Sequence, residues 1–376
     1  MSICKFCLTR EADKGNTHLL AHSMIRRSVN EPGKKGRDRE LYFDLSFDGS
    51  TVSNTLKIGD SVLDIKREEM ESLYHSKLIG KGRERDFAVD NEFCSECEKS
   101  FEYIEDLYSS EVVGEVEKKS KNHFQGVLEI LITDRYRINL FYAFHFLNIW
   151  RYSIFNYDSA LFSKKLIPIK QYLMEILTSD KDKLDQNLKK SIELTAFIAV
   201  FILKVGGERD GEDIINEKFT NSLFFHSLDE PRFFVFGTTI ILLHSRQSYF
   251  KTRTKPYYGL SSICNLFDAS SNCDVVKIEV LGDDHTSTFM TNCAIEISGI
   301  IKEELIRKVK LMYSAAVSIG VGIKYTKIKG EFIVNKFIEN NPSYLWDNLP
   351  ALYVSRELAL LIESNESILS DSDSRR

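Results

Sequence analysis

Cys4-Lys5-Phe6-Cys7 and Cys94-Ser95-Glu96-Cys97 are two CxxC pairs separated by residues 8–93. Each pair can clamp one edge of a tetrahedral ion, and four thiolates suit Zn²⁺, whose filled d shell imposes no other geometry. Two other readings compete. Unrelated buried thiols would have no reason to repeat the spacing, and a redox CxxC would need a surrounding βαβ pattern that the sequence lacks. The other three of the seven cysteines, Cys264, Cys273 and Cys293, have no ligand spacing and read as buried apolar residues. A closed four-cysteine site holds structure, so any catalysis must sit beside it.

Two segments flank the pairs. Thr17-His18-Leu19-Leu20-Ala21-His22-Ser23-Met24-Ile25-Arg26-Arg27 follows the first, and Glu98-Lys99-Ser100-Phe101-Glu102-Tyr103-Ile104-Glu105-Asp106-Leu107-Tyr108 follows the second. At about 100° per residue, Glu98, Glu102 and Glu105 fall on one stripe of a helix and Phe101, Ile104, Leu107 and Tyr108 on another. That spacing predicts an acidic face turned away from the core.

The 376 residues suffice for two or three domains, and 43% hydrophobic content supplies real cores. Lys plus Arg number 50 against 55 Asp plus Glu, a net charge of -5. Coating nucleic acid by bulk charge is thereby excluded, and any such contact must be local. Two glycine-bearing basic loops could make it: Gly33-Lys34-Lys35-Gly36-Arg37-Asp38-Arg39 and Gly80-Lys81-Gly82-Arg83-Glu84-Arg85, with Arg26-Arg27 nearby in sequence. Glycines let backbone approach phosphate while Lys and Arg neutralise it, although single loops of this kind are commonly just solvated. The aromatic content of 11% excludes general disorder. No charged-then-apolar leader opens the sequence, and the longest apolar run, Ala196 to Leu203, falls far short of the ~20 residues of a membrane span. A cytoplasmic protein with no membrane contact is expected.

Composition shifts near 110–120. Before it, Leu41 to Phe47 alternates and meets the turn dipeptide Asp48-Gly49, predicting a hairpin completed around Thr55 to Ile58, and Glu68 to Leu78 has helical spacing. Beyond it, Asn122 to Tyr157 reads as one long helix, with Ile138, Phe141, Tyr142, His145, Phe146, Ile149, Trp150 and Ser153 on one face. Ile169 to Leu177, begun after Pro168, and Leu184 to Leu203, stopped by Gly206-Gly207, read as two more. Arg232 to Leu243 and Val275 to Leu281 are β-branched and aromatic, predicting strands. Helices return at Ile300 to Ala316 and Pro350 to Ile362, and the end from Ser364 should fray. Residues 120–376 contain no Walker-type phosphate cradle and no GxSxG elbow, and no chemistry is assigned to them.

The order of these motifs resembles the zinc-stapled HNH (ββα-metal, treble-clef) nucleases, in which a knuckle CxxC leads into a strand bearing an acidic-His pair and a second CxxC opens a helix bearing a metal ligand. It is more closely similar to a set of bacterial proteins with CxxC, SHIIPK, a long insertion, CxxCE with a further Glu seven positions on, and a Leu-Trp-Arg centre. Thr17 to His22 matches SHIIPK with Ala21 for Pro and His22 for Lys, and Cys97-Glu98 through Glu105 matches the second motif. Asn148-Ile149-Trp150-Arg151 and Arg232 to Gly237 extend the likeness. The resemblance implies an α+β protein: a zinc-stapled HNH-like ββα domain over about 1–115 with an insertion at about 28–90, an α+β domain over about 116–363 (helical at about 121–205, sheet-rich at about 230–297), and a flexible tail at 364–376.

By the same resemblance Cys4, Cys7, Cys94 and Cys97 hold structural zinc, His18 is the general base, and Glu98, with Glu105 and His22 as further candidates, holds catalytic Mg²⁺ or Mn²⁺. Two departures stand out. Thr17 occupies the position of the acidic ligand, and Glu98 replaces the usual Asn or His, a change that keeps an oxygen donor. The implied activity is endonucleolytic cleavage of DNA or RNA, in a setting of defence against phage or mobile DNA. Its competitors are a non-catalytic zinc module that binds nucleic acid or protein, and a regulatory partner acting through the C-terminal domain.

Overall fold

The computed structural model describes residues 2–22, 24–25, 42–48, 51–57, 68, 88–123, 125–156, 160–192, 197–203, 223–227, 232–244, 275–318, 325–341 and 351–371. Strand β1 (Thr17–His18) pairs antiparallel with β4 (Ala88–Val89), and between them lies the hairpin β2 (Tyr42–Asp48) and β3 (Thr51–Lys57). Helix α1 (Ser95–Tyr108) continues through a π-helical turn (Ser109–Val113) into α2 (Gly114–Ser120). Then come β5 (Val127–Ile132), α3 (Arg135–Asn156), α4 (Ala160–Ile176), α5 (Lys181–Leu188) and β6 (Phe197–Leu203). Strands β7 (Leu223–Ser227), β8 (Arg232–Phe236), β9 (Thr239–His244) and β10 (Val276–Leu281) precede helices α6 (Asp283–Ser318), α7 (Lys327–Asn340) and α8 (Ala351–Asp371).

The mixed helix and sheet agree with the α+β expectation. Eight strands form one sheet in the order β3-β2-β7-β8-β9-β6-β10-β5, with parallel pairs at β2/β7 and β6/β10. The predicted hairpin is therefore real, but it extends the large sheet. At the β8–β9 turn Gly237 has φ +58, the left-handed conformation that the first central residue of a tight hairpin turn needs.

The sheet is covered on both faces. Along β6, Ile198 and Val200 join one core while Ala199, Phe201 and Leu203 join the other, and β9 splits Ile241 and Leu243 from Ile240 and Leu242 in the same way. The first core contains α1 to α5 and the cysteine region, and the second contains α6, α7 and α8. Each fully buried aliphatic or aromatic side chain contributes roughly 1.5–3 kcal/mol, which makes this two-sided burial the main source of cohesion.

That burial also corrects the sequence reading. A strand covered on both faces shows no alternation, so the run to Leu203 looked like a helix; the helix is Lys181–Leu188 and Phe197–Leu203 is a central strand. Likewise the apolar Val127–Ile132 is strand β5, and the long helix begins at Arg135. Pro168 lies inside α4. The sheet-rich region ends at Leu281, because Asp283 and Asp284 open a helix that runs through the expected Ile300 to Ala316. The expected tail begins as helix, with α8 continuing to Asp371 and Asn365 buried. The expected helix at 68–78 lies, but for Glu68, outside the described residues.

Candidate metal centre and its surroundings

The first knuckle is shaped by its backbone. Leu8 sits at φ +59, its N–H donates to the Cys4 carbonyl at 3.0 Å, and Cys4 N–H donates to Arg10 O at 2.8 Å. The chain then returns through bridges between Ile3 and Glu11 and between Lys14 and Phe93, which lay the two knuckles side by side. Cys94 caps α1 with extended backbone and no side-chain hydrogen bond. Asp13 supplies what is missing, its carboxylate accepting from Ser95 N at 2.7 Å and Ser95 Oγ at 3.0 Å.

The Sγ atoms of Cys4, Cys7, Cys94 and Cys97 lie within 4.8 Å of one another, and Cys7 and Cys94 are 3.9 Å apart. Four sulfurs at about 2.3 Å from a tetrahedral zinc ion would be about 3.8 Å apart. The cluster therefore can hold a metal ion such as zinc. Three of the four are buried. Burial, then the neighbouring thiols, push Cys97 far above the usual thiol range, while hydrogen bonds involving Thr9, Arg10 and Cys4 outweigh burial at Cys7 and lower it to about 6. A divalent cation among them reverses that resistance to ionisation.

Helix α3 buttresses the centre. Every residue from 138 to 153 is buried. Trp150 meets Phe6 edge-on at 5.3 Å, and Asn148 Oδ1 accepts from Ala21 N–H at 2.6 Å, which pins the segment carrying His18 and His22. The buried Arg151 guanidinium lies 5.4 Å from the Phe101 ring and forms an ion pair with Glu105. These contacts give physical meaning to the Asn148–Arg151 motif. A charged residue within an apolar helix was the only signal in the sequence, and such a residue needs a buried partner.

The acidic stripe is not turned outward. Glu98 is only 6% exposed, because α1 packs against α3 on that side as well, whereas Glu102 is exposed. One Glu98 carboxylate oxygen, Oε2, has no hydrogen-bond partner. Burial raises its pKa to about 7; Arg151 opposes this, and Glu105 and Glu102 add to it. Thr17 is also buried, with Oγ1 lacking a partner. His18 stands on β1 opposite Ala88, its ring 5.3 Å from that of His22, whose backbone N–H lies 3.4 Å from Glu105 Oε2.

Glu105 thus links His22 to Arg151, and Glu98 feels the charges of Arg151 and Glu105. Among the described residues the four cysteines are the only group of three or more His, Cys, Asp or Glu brought within metal reach, so His18, His22, Glu98 and Glu105 do not form a second. Arg26, Arg27, Lys34, Lys35, Arg37, Lys81, Arg83 and Arg85 lie outside the described residues, as do Cys264 and Cys273, while Cys293 is buried as expected. No helix among the described residues is long and apolar enough to cross a membrane. Compared with protein-family models, curated proteins and solved structures, the chain has no match.

Proposed function

We propose that the protein is a zinc-stapled, divalent-metal-dependent HNH-like endonuclease acting on DNA or RNA, with defence against phage or mobile DNA as its setting. The observation that carries the reading is local. A two-strand antiparallel pair bearing His18 and a helix bearing Glu98 flank one four-cysteine cluster, and Glu98 keeps a buried carboxylate oxygen with no partner. Zinc in the cluster fixes the start of α1. His18 takes a proton from water at a ring nitrogen. Glu98 would hold Mg²⁺ or Mn²⁺, with Glu105 or His22 completing the set once Glu105 leaves Arg151. The ion would supply charge stabilisation at the phosphate. The basic residues at 26–27, 34–37 and 81–85 bind the backbone of the nucleic acid, and the C-terminal layer serves control or a protein partner.

A second reading, a non-catalytic zinc module for nucleic acid or protein, is favoured by two observations. Thr17 is buried where the resemblance expects an acidic ligand, and Glu105 is held by Arg151. Cleavage assays with the full zinc-loaded chain in Mg²⁺ or Mn²⁺ separate the two. His18→Ala should lower cleavage by about 10²–10⁴-fold while leaving nucleic-acid binding and zinc content intact. Glu98→Ala should lose activity that high metal partly restores, and Thr17→Asp should gain activity. Wild type that cuts neither DNA nor RNA, with Thr17→Asp equally inert, gives the second reading its place.

A further inference from the structure

The first knuckle is gripped from behind by two helices of the chain's second region. Of the two residues between Cys4 and Cys7, Phe6 meets Trp150 of α3 edge-on at 5.3 Å, and the Lys5 carbonyl accepts from Lys170 Nζ of α4 at 3.1 Å. Lys170 Nζ also lies 5.8 Å from the centre of the Trp150 ring, within reach of a cation–π contact. Helix α4 thereby sets an ammonium on the backbone that joins two of the four thiols, from 165 positions away in sequence.

The charges that face this ammonium are sulfurs. Burial lowers the pKa of Lys170, and Cys4, Cys7 and Cys97, as ionised thiols, oppose that lowering. Among the described residues no carboxylate lies within ion-pair distance of Lys170, whereas Lys5 is answered by Glu92 at 2.8 Å and Arg10 by Glu96 at 2.7 Å. Arg10 also meets the Cys94 thiol, but it is exposed and shares its charge with Glu96. Four thiolates around one divalent cation form a dianion, and burial of three of the cysteines leaves that charge poorly screened. Lys170 is the half-buried cation, free of a competing carboxylate, that such a set requires.

We propose that Lys170 is a positioning residue of the metal centre, whose ammonium balances the charge the four cysteines acquire on binding a divalent ion and ties α4 to the loaded cluster. Ion binding displaces the thiol protons, so the set passes from neutral to dianionic and its pull on Lys170 rises with loading. The ion is then held in part by a helix that supplies none of its ligands, and outer partners of this kind contribute about 10–100-fold in metal affinity. The inference rests on a divalent ion occupying the cluster and is independent of nucleic-acid cleavage.

Zinc affinity by chelator competition, and the sulfur-to-metal charge-transfer band of the Co²⁺-loaded full chain, provide the test. Lys170→Met keeps the length of the side chain and removes its charge. It should weaken zinc binding about tenfold or more, and it should move the cobalt band to lower energy, because a nearby cation stabilises the sulfur lone pairs. Lys170→Arg should bring both back toward wild type, which a loss of packing alone would not predict. Lys170→Gln takes the place of Lys170→Met should that variant fail to fold. A wild type that takes up neither metal overturns the metal reading and this inference with it. A wild type that loads both, with affinity and band unchanged in the neutral variant, overturns this inference alone, as does Lys170→Arg performing no better than Lys170→Met.

Discussion

The two faces of the sheet differ in how many polar groups they bury. On the α6–α8 side the second core runs through Phe289, Leu305, Val309, Ile333, Phe337 and Leu358, with Lys277, Glu279, Thr286, Lys329 and Asn365 as its buried polar groups. On the other side the apolar core is threaded with buried polar groups: Thr17, Glu98, Ser100, Asn139, His145, Asn148 and Arg151. Several of their atoms have no partner in the fold. These groups lie on β1, α1 and α3, and most of the amide and hydroxyl groups among them are satisfied within the fold. Both faces hold the sheet by apolar burial, and the face with the cysteine cluster carries more of the buried polar groups.

Removing the staple should show the contrast at its largest. Structural zinc contributes about 10–16 kcal/mol in small zinc modules, and an ion held by these four cysteines would close the 8–93 segment. Cys94→Ser should therefore abolish zinc binding and strip amide-exchange protection from residues 2–25 and 88–108, leaving α6–α8 protected. Unchanged protection in a zinc-free variant would show that packing alone seats the knuckles.

Next come single side chains on each face. Arg151→Met leaves Glu105 without its cation and should cost about 3 kcal/mol, the low end for a buried pair because Glu105 is partly exposed. Adding Glu105→Leu should recover part of that. Phe337→Ala on the other face should cost a similar 3–5 kcal/mol by leaving a cavity. On the proposed nuclease reading the two should differ in effect, only the Arg151 variant changing nucleic-acid cleavage. Denaturant unfolding and cleavage of the same substrate decide it, and loss of cleavage in folded Phe337→Ala would contradict that difference.

How far this contrast could be read beforehand differed between the faces. Repeated cysteine spacing identified the cluster outright, since four thiols at two CxxC pairs have few other uses. The hairpin at β2 and β3 was legible from Asp48-Gly49, and β8 to β10 from β-branched and aromatic runs. Strands β5 and β6 were not, because burial on both faces erases the alternation that separates strand from helix. The environment of Glu98 was equally hidden. Helical spacing places residues on a stripe but says nothing of a second helix, α3, packed over that stripe with Arg151. The ion pair joins residues 46 positions apart, a separation no local pattern encodes.

The smallest effect is a pH dependence at His145. Its folded pKa, about 3, lies below the unfolded value near 6.5, so the unfolded chain binds the extra proton first. Its contribution is therefore complete above pH 6.5 and is lost as pH falls toward 3, by about 1.4 kcal/mol per unit. His145→Asn lacks this titration, and the stability gap between wild type and variant should be flat above pH 7 and shrink below 6.5. Parallel curves across that range would mean that the imidazole is not held neutral.

X-ray absorption at the zinc edge of the purified full chain bears on everything else, since the seat of α1 and the placing of His18 and Glu98 follow from the cysteine cluster. The account predicts about one zinc per chain, coordinated by four sulfurs at about 2.3 Å, with the signal lost in Cys94→Ser. A chain purified without zinc that takes up none, or zinc bound by nitrogen and oxygen in place of sulfur, would contradict it.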